Sequence, residues 1–144
     1  MKRTLFLLLA MLFANVLWAE NVDPNAVEPD FEVGYLGYKY KGNNEVAVNN
    51  YDRESTTLPM PWNLEIPSTV TRNDTTYTVT SIGTGAFRGC VNLQSVVIPI
   101  TVTSIDYNAF TNCNSLQSVD IPSTVTSIGD AAFEYCRSLT SIEI

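Results

Sequence analysis

Histidine is missing altogether from this 144-residue chain. That removes imidazole-based catalytic triads, His-ligated zinc and histidine pH switching in one step. Basic side chains are also scarce: 8 Lys and Arg stand against 15 Asp and Glu, a net charge of −7. A surface of that sign repels phosphate backbones and anionic headgroups, which excludes nucleic acid and anionic membranes as partners. Only three cysteines are present, an odd number that cannot pair completely.

What is present begins with a leader. Residues 1–19 read as an export signal peptide: Lys2 and Arg3 supply positive charge, Thr4 to Val16 form an apolar run, and Ala19 (or Ala14) is small enough for cleavage. The run is too short for a transmembrane helix, and no segment after cleavage spans a membrane. No cysteine follows it, which argues against a lipid anchor. The expected location is therefore secreted or cell-surface. About 125 residues remain, with six basic residues against 15 acidic ones, enough for one domain. Residues 20–30 carry Pro24, Pro29 and several acids without periodicity, the composition of a flexible linker.

From Val79 onward the chain repeats itself. Ala86-Phe87, Ala109-Phe110 and Ala132-Phe133 recur every 23 residues, as do Cys90, Cys113 and Cys136, Leu93, Leu116 and Leu139, and Ile82, Ile105 and Ile128. A fixed period of this size marks a solenoid whose units bury their apolar faces only against one another. Within a unit, Leu93, Val96 and Ile98 (then Leu116, Val119 and Ile121) give a short strand ended by Pro99 or Pro122. Val102 to Ile105 and Val125 to Ile128 form a second β-type run. Gly83, Asp106 and Gly129 are expected to turn the chain, and 85–90, 108–113 and 131–136 to make one helical turn each, dropping Phe inward.

The spacing L-x-x-V-x-I fits the leucine-rich-repeat template. The fuller wording from Val79 through Pro99 and its copies closely resembles the BspA-like leucine-rich repeats of bacterial surface antigens. The expected fold is thus a β-rich solenoid of short parallel strands, occupying residues 63–144 with the last coil incomplete. Pro67 and Pro99 are 32 residues apart, so the first coil carries a nine-residue insertion, read as a protruding hairpin over residues 71–78. Asp74 at its tip is less suited than glycine to a tight two-residue turn. Asn73-Asp74-Thr75 matches a glycosylation sequon but is taken as chance beside a bacterial-looking export signal. Residues 31–62 form an N-terminal β cap and loop. Phe31 to Val33 and Tyr35 to Tyr40 alternate apolar and polar residues, Gly42-Asn43-Asn44 makes a turn, and Glu45 to Val48 returns as a strand. Solenoid ends need such a cover, and the aromatics Phe31, Tyr35, Tyr38 and Tyr40 suit it; an aromatic carbohydrate platform is the alternative.

The cysteines read as ladder packing, a free buried thiol behaving as a small hydrophobe. A disulfide from Cys113 to one neighbour is the alternative, and a metal site lacks a fourth ligand. The candidate binding face is the outward side of the first strand of each unit: Glu65, Val97, Asp120 and Glu143 in one column, Ser95, Ser118 and Ser141 beside it. Like charges held that close invite a basic partner. The units differ most at 88/111/134, 89/112/135 and 91/114/137, which could carry recognition instead.

No cofactor and no metal are expected, and no enzyme: a hydrolase using Asp120 and Glu143 would need two carboxylates in different environments, and these share one. The resemblance implies an adhesin-like recognition module binding a host matrix or surface protein, and the acidic strip suits a basic one. The alternative is a structural spacer or self-assembling surface protein. The chain stops where the next Pro would come, with the Ala132, Phe133, Leu139 and Ile142 layer partly open; either a longer protein continues, or this end self-associates.

Overall fold

A computed structural model of the chain describes residues 29–50 and 61–143. The expected leader at 1–19, most of the lead-in at 20–30 and the loop at 51–60 lie outside the described residues, as do the side chain of Glu143 and all of Ile144.

Eleven short strands are present among the described residues: β1 (Phe31–Val33), β2 (Leu36–Gly42), β3 (Glu45–Val48), β4 (Asn63–Glu65), β5 (Thr69–Arg72), β6 (Thr75–Ile82), β7 (Ser95–Val97), β8 (Ser104–Ile105), β9 (Ser118–Asp120), β10 (Ser127–Ile128) and β11 (Ser141–Glu143). They form two sheets. One is a parallel stack of the first strand of each coil, in the order β11-β9-β7-β4. The other stacks the second strands and continues into the cap, in the order β1-β2-β3-β6-β8-β10, with β5 paired to β6. Register follows the 23-residue step: Val96 lies against Val119, and Ile82 against Ile105. The predicted solenoid is the observed one.

Between the sheets runs the core. Phe87 and Phe110 are wholly buried and stack nearly parallel, with centroids 5.0 Å apart. Phe133 continues the file at 5.2 Å and 3°. Ala86, Leu93, Val96, Ile98 and their copies Ala109, Leu116, Val119 and Ile121 fill the remainder. Truncating a fully buried Phe in such a file costs about 3–5 kcal/mol.

The segment after each second strand is not a helix: no helix occurs among the described residues. The reason lies in where the N–H groups go. Ala86, Arg88 and Cys90 donate to the carbonyl three residues back, as in a turn. Gly85, Phe87 and Gly89 instead donate to the carbonyls of Tyr107, Ala109 and Thr111 in the next coil. An α-helix would need those donors for its own fourth-back carbonyls. The backbone also leaves the right-handed region at two places per coil. Gly85, Asn108 and Ala131 share one left-handed position, with φ of 63°, 57° and 56°, and Gly89, Asn112 and Tyr135 the other, with 73°, 63° and 59°. Gly83 and Gly129, expected to supply unusual angles, do not. At Gly129 a Cβ would lie 2.6 Å from the Tyr107 nitrogen, so close approach is what glycine permits there.

The cap is a β-meander whose last strand, β3, takes the place of a preceding coil: it pairs in parallel with β6, and the Gly83 N–H donates to the Val48 carbonyl at 2.8 Å. The chain leaving β3 is pinned to β2, where Gly37 donates to the Asn50 side chain and accepts from the Asn49 N–H. The insertion differs from expectation in two ways. Its tip is a tight two-residue turn after all, with Asn73 and Asp74 at φ of 48° and 60° between the paired Arg72 and Thr75. It also lies against the cap. Tyr77 meets Phe31 and Tyr40 at 5.8 and 5.2 Å, the Arg72 guanidinium sits 4.9 Å over the Phe31 ring, and Arg72 donates to the Asp30 carbonyl. The aromatics therefore seal cap to coil, with Tyr38 and Phe31 buried and Tyr40 half in water.

Two outcomes follow for stability. Tyr135→Gly should raise it by about 1 kcal/mol, because a bulky residue is released from a left-handed backbone, while Tyr135→Val should lower it, both read from urea midpoints. Asp30 is held below the ordinary 3.8 by the Tyr40 N–H and then by Lys39, whose ammonium lies 3.0 Å away. A depressed carboxylate stabilises above its unfolded value and loses that contribution as pH falls through its folded value. Asp30→Asn should therefore be less stable than the parent at pH 7, with the difference shrinking below pH 3.8.

Candidate functional site

The outward side of the β4-β7-β9-β11 sheet carries the candidate binding residues, and the strand pairing brings them together. Glu65, Val97, Asp120 and Glu143 are Cα partners in consecutive strands, as are Asn63, Ser95, Ser118 and Ser141. Period-2 alternation explains the sorting: Leu64, Val96 and Val119 turn inward and are buried, so the residues on either side face out. Glu65 and Asp120 are exposed, and Val97 keeps 44% of its surface in water. Each rung is one strand spacing from the next, roughly 4.8 Å, so the Glu65 and Asp120 positions stand about 10 Å apart with Val97 between them. Ser95 and Asn63 are joined side chain to side chain at 2.7 Å.

No lysine or arginine lies on this face among the described residues. Lys39 and Lys41 are in the cap, Arg72 is on the hairpin, and Arg88 and Arg137 are on the turn edge. The described part of the face is thus acidic, apolar and hydroxylic, and the described lysines and arginines lie elsewhere.

Trp62, immediately before β4, was not singled out by sequence pattern. It is 65% exposed. Its carbonyl accepts the Gln94 N–H at 2.6 Å and the Ser95 N–H at 3.2 Å, which ties its backbone to the next coil. Aligning Leu64 with Val96 places Trp62 in the column of Gln94 and Gln117, and that alignment was the available signal.

Two of the three most variable columns have structural duties. Position 89/112/135 is the left-handed one, which explains Gly and Asn there. At 88/111/134, Thr111 is buried and its hydroxyl binds Ala131 O at 2.7 Å and Asn108 Oδ1 at 3.0 Å.

The cysteines form a ladder with no disulfide between them. The Cys113 thiol donates to the Phe87 carbonyl at 3.0 Å, and Cys136 to the Phe110 carbonyl at 3.1 Å, each reaching one coil back. The neighbouring Cys136 sulfur and then burial push Cys113 well above the ordinary thiol range, while the same pairing lowers Cys136. A thiol held protonated is a poor nucleophile. No group of metal ligands occurs among the described residues, and no helix among them is long and apolar enough to cross a membrane. Treatment with Ellman's reagent at pH 8 should modify Cys136 well before Cys113, with Cys113 reacting only on unfolding, as followed by mass mapping.

Comparison with known proteins accords with this geometry. Residues 63–144 match the family model described as BspA type leucine rich repeat region, in six copies. A leucine-rich repeat protein from Bacteroides ovatus superposes with a TM-score of 0.70 at 36% identity, covering 78% of this chain and 29% of its own. A leucine rich cell surface protein from Faecalibacterium prausnitzii gives 0.64 at 34% identity, covering 76% and 29%. A third, from Bacteroides capillosus, shares the fold at 0.59 and 24% identity, covering 78% of this chain and 96% of its own. The chain spans less than a third of the length of the first two. No curated protein matches it.

Proposed function

The chain belongs to the BspA-type leucine-rich repeat family, and from that membership we propose that it is an exported recognition module, secreted or held at the cell surface, that binds protein and performs no catalysis. One of its structural relatives is described as a cell surface protein, in keeping with the leader-like residues 1–19. The observation that carries the reading is the outward sheet face, where Glu65, Val97 and Asp120 stand in register beside Ser95 and Ser118, with Glu143 and Ser141 on the next rung. A regularly spaced face of parallel columns offers many small contacts, which suits docking. Its charge favours a basic segment of a matrix or host-surface protein.

The test is binding of the exported chain to immobilised extracellular-matrix proteins. The triple variant Glu65→Gln, Asp120→Asn, Glu143→Gln should bind at least about tenfold more weakly and lose most of its salt dependence. Unchanged binding overturns the reading. A second reading is a structural spacer or self-assembling surface protein, since stacked coils pair edge to edge with further copies of themselves. Sedimentation that shows a monomer at high concentration excludes it.

A further inference from the structure

The cap completes one of the two sheets and leaves the other open. In one sheet β3 stands beside β6 as a preceding coil would, but the other sheet ends at β4, with no strand beyond it among the described residues. The ladder to β7 uses the Trp62 carbonyl, the N–H and carbonyl of Leu64, and the Ile66 N–H. Successive residues of a strand offer these groups to opposite sides, so the N–H and carbonyl groups of Asn63 and Glu65 point away from β7. Among the described residues no backbone hydrogen bond meets them there, and both residues are exposed. Such an edge is a template for another strand, and proteins commonly blunt it with a lysine or a bulge. β4 has neither: it pairs with β7 without a register shift, and Glu65 is its only charge.

We propose that this edge takes up an extended segment of a partner protein as an added strand, parallel to β4, whose residues run polar, apolar, basic in that order. The order follows from carrying each column one rung further. Beside Asn63, in the column of Ser95 and Ser118, belongs a polar residue. Beside Leu64, whose column continues as the buried Val96 and Val119, belongs an apolar one on the core side. Its N–H donates to the Asn63 carbonyl and its carbonyl accepts from the Glu65 N–H, the relation that Leu64 bears to Ser95 and Val97. Beside Glu65 belongs an arginine, because opposite charges on neighbouring strands attract and a guanidinium can fork a carboxylate. No lysine or arginine of the chain lies on this face among the described residues to compete for Glu65. A second copy is the other occupant of suitable shape, but its strands bring Glu65, Val97, Asp120 and Glu143 to that place and no cation. The basic position rests on the outward-face reading above; the backbone pairing does not.

The experiment uses the full chain and the fluorescein-labelled peptide Thr-Ser-Val-Arg-Ile-Thr, with affinity read by anisotropy and amide exchange by NMR. Binding should slow exchange of the Asn63 and Glu65 amides at least about tenfold, whereas the Leu64 amide is already slow in the free chain. N-methylating the peptide valine should weaken binding about tenfold, while N-methylating the arginine, whose N–H points away from β4, should leave it unchanged. Asn63→Pro removes one outward donor without touching the β7 ladder and should weaken binding similarly, its melting temperature reporting that the fold is kept. Replacing the arginine by glutamate should weaken binding about tenfold. Failure of the peptide to bind, equal effects of the two N-methylations, or unchanged exchange at Asn63 and Glu65 overturns the added strand. Equal binding of the reversed peptide overturns its direction, and dimers of the chain that the peptide disperses give the edge to a second copy instead. Failure of this inference and of the outward-face reading are distinguishable. If the triple acidic variant keeps its matrix binding while valine N-methylation still weakens the peptide, the face falls and the edge stands; the opposite pair of results leaves the face and removes the edge.

Discussion

Each coil leaves part of its backbone for its neighbour to complete, and the rest of the molecule follows from that sharing. The N–H of Asp106 reaches the Ile82 carbonyl and that of Gly129 the Ile105 carbonyl, while on the turn edge the donors run the other way, from Phe87 to Ala109 and from Phe110 to Ala132. Unmet backbone groups are costly when buried, so a coil alone is not a stable object. Threonine hydroxyls reinforce the same seams, Thr103 donating to the Thr80 carbonyl and Thr126 to that of Thr103. Once rungs are fixed by these bonds, identical positions must coincide, which is why phenylalanine stacks on phenylalanine and thiol follows thiol. The cap obeys the same rule, with β3 offering to β6 the carbonyls that an earlier coil would have offered.

Much of this was legible from residue spacing, since a period repeated at a dozen positions leaves one way to stack. The Phe file, the buried Leu and Ile positions and the columns Glu65/Val97/Asp120 all follow from counting in steps of 23. The turn after each second strand was misread as helical for a local reason. A run such as Ala109-Phe110 with three-residue apolar spacing has the same pattern in a helix and in consecutive turns, and what separates them is a donor used across coils. The left-handed positions would have been the clue: Gly85 and Asn108 are ordinary there, but Ala131 and Tyr135 disguise them. Asp74 misled in the same manner, being tolerated at φ of 60° because Asn73 precedes it and the paired arms fix the turn.

Contacts distant in sequence were invisible. Nothing in the pattern joins Arg72 to Phe31 or Tyr77 to Tyr40, yet those pairs convert a protruding hairpin into a buttress of the cap. The binding face was half legible. Its columns come from periodicity, but its charge character depends on where the lysines and arginines go, and those described sit in the cap, on the hairpin and on the turn edge. Trp62 sits just outside the first strand motif, where periodic reasoning stops.

The succession of residues in the left-handed slot has one more consequence. Glycine, then asparagine, then tyrosine occupy it from the first coil to the last, so the conformational cost of holding a coil closed grows along the stack. The coils are unequally held: the one beside β3 is locked by a meander and a stacked guanidinium, while the one that holds Tyr135 carries the greatest local strain. Thermal fluctuation therefore opens the Tyr135 turn more readily than the Gly89 turn, and amide exchange across the three turns runs as a gradient rather than a single cooperative step.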